Sequence, residues 1–292
     1  MKRAVMMVLM PLLVGSPLLG QPADDLRVFI SVDMEGIAGV TNWEETGRGG
    51  KDYDLFRKIM TQEASAAVEG AVAAGAKEIW VRDSHGSARN ILPDLLNRNA
   101  KLLRDWSGRP EGMMLGIDET FDAAIFIGYH AKAGTPDALL EHTFSNSKVT
   151  DIAINGVSLP EAGINALLAG LHEVPVVFVA GDEAVCEQVR GLFGKVETVA
   201  VKKGIGAAAL NLHPEVAQEK IRAGVEKALG NLSQYKSYKL SAPYTMVLKL
   251  KNEETVYKGA LYPGAKRTGD WEITYSSDDL LEVIQAVEVI LK

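Results

Sequence analysis

Five side chains in the first half of this sequence could share one chemical task. Asp33 and Glu35 close the stretch "VFISVDMEG", one residue apart. Asp83 and His85 stand in "RDSH", and His130 ends "GYH". Each group follows an apolar run that reads as a β-strand. In parallel α/β sheets, ligands bind outside the carboxyl ends of the strands, so three neighbouring strands would bring these groups to one edge. Two carboxylates and two imidazoles gathered there would repel or stay unpaired without a cation. A divalent metal removes the conflict, and this donor set suits zinc, manganese or iron. Each residue also has a plainer reading. An Asp after a strand is often the N-cap of the next helix, and a single His at a strand end is often a hydrogen-bonded structural residue. The conjunction favours a metal: three of the five histidines, His85, His130 and His142, follow strand ends or lie just beyond one. His172 falls at an expected helix C-terminus, where its charge is welcome, and His213 precedes a helix start.

The elements that must position these groups alternate through the first two-thirds of the chain. Strands are expected over 26–33, 76–85, 122–130 and 174–182, the last an unbroken apolar run of the kind buried on both faces. A further strand over 150–159 contains "NG" and reads as a hairpin. A helix is expected over 52–74 with Leu55, Ile59, Ala67, Val68 and Ala71 on one face, and another over 161–172. This rhythm predicts an α/β fold, a largely parallel sheet flanked by helices. Past residue 205 the pattern changes to an amphipathic helix over 213–231, two alternating strand-like runs and a closing helix that Ser and Asp can cap. That predicts a metal-binding catalytic α/β domain over 23–205 followed by a smaller α+β C-terminal domain over 206–292.

The totals bound the function. The chain has 292 residues, 47% hydrophobic and 24% charged, as in an ordinary globular protein. A net charge of −7 argues against general nucleic-acid binding. Residues 1–22 begin with Lys2 and Arg3, run apolar to about Leu19 and end in small residues. The run is shorter than the roughly 20 residues a membrane span needs, so it reads as a secretory signal peptide. A periplasmic or secreted protein without stable membrane association is the expectation. Cys186 is the single cysteine. An internal disulfide and a Cys-rich zinc site are both excluded, and a buried structural thiol is expected.

Taken together, "SVDMEGIAG", "DSHG", "GYHAKAGTP", "EHTF" and "NGVSLPEAGINA" resemble the zinc-dependent D-aminopeptidases of the dipeptide-transport-operon type. "MTQEA", "VPVVFVAGD" and "YPGAKRTG" extend the resemblance, in order, over nearly all of the chain past the leader. The resemblance implies that Asp33, Glu35, His85, His130 and Glu161 are metal ligands and that His142 is the catalytic histidine. It implies two Zn2+ ions per subunit, and metals lie about 3.5–4 Å apart in such sites; Asp33, nearest its strand end, is the expected bridge. It also implies short peptide substrates, with N-terminal D-residues such as D-Ala, and a ring-shaped homo-oligomer, a decamer in the family. The alternatives are another metallohydrolase, an amidase or a phosphoesterase, and an extracytoplasmic metal- or peptide-binding protein. Dinuclear phosphoesterases carry a "GNH" element that is "GYH" here, which counts against that class. Asp83 is open between orienting a ligand histidine and capping a helix, and Asp182 reads as a helix cap. Arg82 and Lys132 are candidates for a peptide carboxylate. The glycine-rich "TGRGGKDY" lacks phosphate-loop spacing, and Glu44 and Glu45 beside it read as surface charges.

Overall fold

The computed structural model describes residues 25–292. The expected signal peptide, 1–22, lies outside the described residues. In chain order, β1 (Arg27–Val32) leads to a one-turn helix α1 (Trp43–Thr46) and the long α2 (Tyr53–Ala73). β2 (Glu78–Asp83), β3 (Lys101–Leu103) and β4 (Ala123–Tyr129) follow. Next come the hairpin β5 (Val149–Ile154) and β6 (Val157–Ser158), then α3 (Glu161–Leu171), β7 (Val176–Asp182) and α4 (Glu183–Phe193). β8 (Glu197–Ile205) and β9 (Ala208–Asn211) precede α5 (Pro214–Leu229). The chain closes with β10 (Tyr244–Leu250), α6 (Glu253–Gly259), β11 (Lys266–Gly269), β12 (Glu272–Ser277) and α7 (Leu280–Leu291).

These strands form two sheets. The first has the order β3-β2-β1-β4-β7-β8-β9, parallel except for the antiparallel edge strand β9. The second is antiparallel, β11-β12-β10-β5-β6. The expected α/β architecture with a mostly parallel sheet and an antiparallel companion is therefore present. The sheets interleave along the chain, however. β5 and β6 precede residue 205 yet pair with β10, while β9 and α5 follow it yet belong to the layer of the first sheet. The change of pattern near 205 does not separate the sheets, because strand pairing depends on which edge lies open in space.

The period of two along β1 shows why both faces are covered. Val28, Ile30 and Val32 point into one core, shared with α2 and α5. Phe29 points into the other, shared with α3, α4, the second sheet and α7. A strand buried on both faces must read as the continuous apolar run seen here. In α2 the core face runs through Phe56, Met60, Ala64, Ala67 and Ala71, whereas Leu55 is exposed, contrary to the expected stripe. The rotation of the helix is set by packing against α5, which a face drawn from one helix alone does not contain. Cys186 is buried, and burial pushes its thiol up to about 12. Asp182 caps α4 as expected, accepting from Val185 N at 2.7 Å, and Asp279 caps α7.

Candidate metal centre

β2, β1 and β4 are adjacent and parallel, so their carboxyl ends open on one edge. Backbone contacts then draw the three loops together. Asp33 N donates to Ile127 O at 2.8 Å, Gly36 N to Gly128 O at 2.7 Å and Ser84 N to Val32 O at 2.9 Å. The glycine after Glu35 is required by this approach. A β-carbon on Gly36 would stand 1.8 Å from the Tyr129 carbonyl oxygen. Gly128 meets it from the other side with φ +71°, and a β-carbon there would lie 2.2 Å from Asp33 O. The two glycines thus let the Asp33–Glu35 turn lie against the end of β4, from which His130 emerges.

The loop after β2 is tied by Asp83. Its carboxylate accepts from Asn90 N, Asn90 Nδ2 and Ile91 N, and Asn90 Nδ2 also donates to the carbonyl of His85. Asp83 therefore neither touches a histidine ring nor caps a helix; it closes the loop that carries His85. After β4, Asp182 Oδ2 accepts from Ala131 N at 3.0 Å, and Ala131 O accepts from His130 Nδ1 at 2.9 Å and from His142 N at 3.3 Å. One carbonyl so links the two histidines, whose rings stack with centroids 4.1 Å apart and planes 9° apart. Glu161 opens α3, and its Oε1 accepts from Phe144 N at 2.7 Å.

The six residues singled out from the sequence meet here. His85 Nδ1 lies 3.2 Å from Asp33 Oδ1 and 2.9 Å from Glu35 Oε2. His130 Nε2 lies 3.5 Å from Asp33 Oδ2 and 3.7 Å from Glu161 Oε2, and His142 Nε2 lies 3.6 Å from Glu161 Oε1. Asp33 faces both halves of the cluster, one oxygen towards each. Ligand atoms of Asp33, Glu35 and His130 fall within 4.8 Å of one another, as do those of His130, His142 and Glu161. His142 thus stands close enough to join the ligand set.

All three imidazoles follow one rule. Each lends one nitrogen to a backbone carbonyl: His85 Nε2 to Thr46 O, His130 Nδ1 to Ala131 O and His142 Nδ1 to Leu140 O. A carbonyl only accepts, so that nitrogen carries the proton. The other nitrogen of each ring, a lone pair in the neutral form, faces carboxylate oxygens. Lone pairs pointed at lone pairs require a proton or a cation between them. Glu35 Oε2 and His130 Nε2 are accordingly buried without a well-formed hydrogen bond. With protons alone, the compromise shows in the acidities. Burial and the neighbouring Glu35 raise Asp33 to about 7. Burial would lower His130, but Glu161, Asp33 and Glu35 reverse this and lift it to about 9. Burial and the adjacent His130 keep His142 below its usual value. The donor set, its burial and its tautomers fit a divalent ion held by carboxylate and imidazole.

The cluster forms the floor of a cleft of about 580 Å³. Trp43 of α1 forms one wall, its ring edge-on to His142 at 5.4 Å, and Trp106 and Met113 line others. Trp43 is not among the residues expected at the site, and Glu45, expected as a surface charge, instead caps α1. Asn42 and Glu45 form a capping box that fixes α1, and the same turn presents Thr46 O to His85. The box, N-x-x-E, was the available signal. Neither proposed carboxylate anchor reaches the floor. Arg82 is fully buried beneath Trp106 with its Nη1 on Asp105 O, and Lys132 is engaged by Ser158.

Fold and donor set define an α/β protein with a candidate divalent-metal centre at the carboxyl edge of its parallel sheet. A profile of the D-aminopeptidase family matches residues 26–289, and the chain belongs to that family. It is 34% identical over 270 residues to a D-aminopeptidase of Bacillus subtilis, covering 90% of this chain and 96% of the relative. It is also similar to the solved Zn-dependent D-aminopeptidase DppA from Bacillus subtilis, described as a self-compartmentalizing protease. The TM-score is 0.88 at 32% identity, over 91% of this chain and 97% of that one.

Proposed function

We propose that this chain is a zinc aminopeptidase of short peptides, in which Asp33, Glu35, His85, His130 and Glu161 hold two zinc ions and His142 is the catalytic histidine. The observation that carries the proposal is the set of three imidazoles, each tied by one nitrogen to a carbonyl and aimed by the other at buried carboxylates. Asp33, with one oxygen towards His85 and the other towards His130, would be the carboxylate shared by both halves of the site. Bound zinc would supply a water acidified towards neutrality and a Lewis acid for the peptide carbonyl.

The protein's own groups do the rest. Asp33, Glu35, Glu161 and His130 are buried, and with the half-buried His85 they keep the donors in place. His142 is partly open to the cleft, and its Nδ1–H bond to Leu140 O leaves Nε2 as the basic nitrogen. Its depressed pKa keeps it neutral near pH 7, able to take a proton and return it to the departing amine. Trp43 packs on the ring and limits its rotation. A cleft of about 580 Å³ suits a short peptide. An N-terminal D-residue such as D-Ala is the proposed preference, after the activity in the relatives' names. Assembly into a ring-shaped homo-oligomer is proposed from the self-compartmentalizing relative. Export to the periplasm or beyond is proposed from the leader-like start of the sequence.

Metal analysis of the purified mature protein, joined to amine release from matched D- and L-alanyl dipeptides, tests the proposal. Two zinc ions per chain and faster release from the D-peptide are expected. Metal below one equivalent after zinc reconstitution, or no release from either peptide, would sink it.

A further inference from the structure

Lys202 lies on β8, across β7 and β4 from the strand that carries the acids, and is 2% exposed. Its ammonium donates to the carbonyl of Glu35 and to that of Val40, the latter at 2.7 Å. From the helix layer on that sheet, Glu63 of α2 is fully buried and its Oε1 accepts from Ala38 N at 2.8 Å. The two side chains thus grip the segment 35–40 at three backbone points. The segment is the one that begins with the Asp33 and Glu35 carboxylates. A buried ammonium and a buried carboxylate are both costly to desolvate. They do not pair directly within 4.0 Å; each is spent on the loop backbone.

We propose that Lys202 and Glu63 are positioning residues that hold the Asp33–Glu35 loop in its metal-binding shape before any metal arrives. The inference rests on the zinc reading above and adds to it a cause for the preorganisation of one half of the site. The donor carboxylates repel one another, and a loop free to move would separate them once the cation left. The clamp acts through the backbone and leaves the carboxylates themselves unoccupied by hydrogen bonds to it. Neither residue touches the cleft, and neither lines it.

Three measurements test this on the full chain. In metal-stripped wild-type protein, hydrogen exchange of the peptides covering residues 34–40 should stay slow, close to the zinc-loaded rate. Loss of protection on stripping would mean that the metal, not the clamp, shapes the loop, and would overturn the proposal. In Lys202→Met, zinc affinity measured against a competing chelator should fall about 10–100-fold, as for other supports of a ligand set. The rise in melting temperature on adding zinc should shrink accordingly. A variant that melts lower by the same amount with and without zinc, at unchanged affinity, would make Lys202 a stability residue only. Should Lys202→Met not fold, Glu63→Met carries the same expectation from the other side of the loop. Wild-type protein that binds no zinc would instead remove the metal reading itself, which separates the two failures.

Discussion

At the residue scale, chemistry here depends on which nitrogen of each imidazole is spoken for. Backbone carbonyls settle that for His85, His130 and His142, leaving each second nitrogen for the site. His142 is the residue whose role this geometry sharpens, since its Nε2 lies 3.6 Å from Glu161 and its ring stacks on His130. If it moves protons rather than holding metal, His142→Ala will keep its zinc content while kcat falls about 10²–10⁴-fold. Loss of a zinc equivalent from that variant would place His142 among the ligands. Acidity gives a second test. The metal-free site binds protons that a metal must displace: His130 is raised to about 9 and Asp33 to about 7. Raised folded-state values mean those protons are held up to those pH values and shed above them. Zinc affinity should therefore climb from about pH 6 to about pH 9, with protons released on binding. Chelator competition across that range checks it, and a flat profile would contradict it.

At the element scale, the site is the meeting of three loops that leave neighbouring parallel strands. Its tightest contact is backbone against backbone, at Gly36 and Gly128. Gly36→Ala should cost about 3 kcal/mol or more, or prevent folding, because a β-carbon cannot share space with the Tyr129 carbonyl. Chemical denaturation of the variant against wild type measures this. A near-neutral result would show that the β1–β4 loop contact is softer than drawn. The strand ends themselves were legible in the sequence, because an apolar run that stops at Asp33, at His85 or at His130 marks both a strand and what hangs from it. The linking of the loops was not legible. Asp83 tying Asn90 and Asp182 reaching Ala131 join residues whose partners a local pattern does not name. Leu55 shows the same limit, facing water on a helix whose rotation α5 decides.

At the scale of the whole molecule, two sheets share a core although the chain passes between them more than once. Exposed apolar side chains remain at Ile205, Leu210 and Leu261, on the β8–β9 hairpin and after α6. Such residues are available for burial between subunits. Light scattering on the purified protein should report a mass several times that of one chain, and a monomer at micromolar concentration would count against the ring. Among the described residues no helix is long and apolar enough to cross a membrane.

The sequence by itself determined the α/β rhythm, the residue types that end three strands, and, through ordered motifs, the resemblance that nominates Glu161 and His142. These are properties of short stretches: an apolar run makes a strand, and adjacent parallel strands present their ends together. Only the tertiary structure decided which imidazole nitrogens face the acids, that β5 and β6 leave the first sheet for the second, and that Lys202 from the sheet and Glu63 from α2 grip the acidic loop together. Each of those depends on atoms distant in the chain and adjacent in space, and hydrogen bonds and close packing act only across that adjacency.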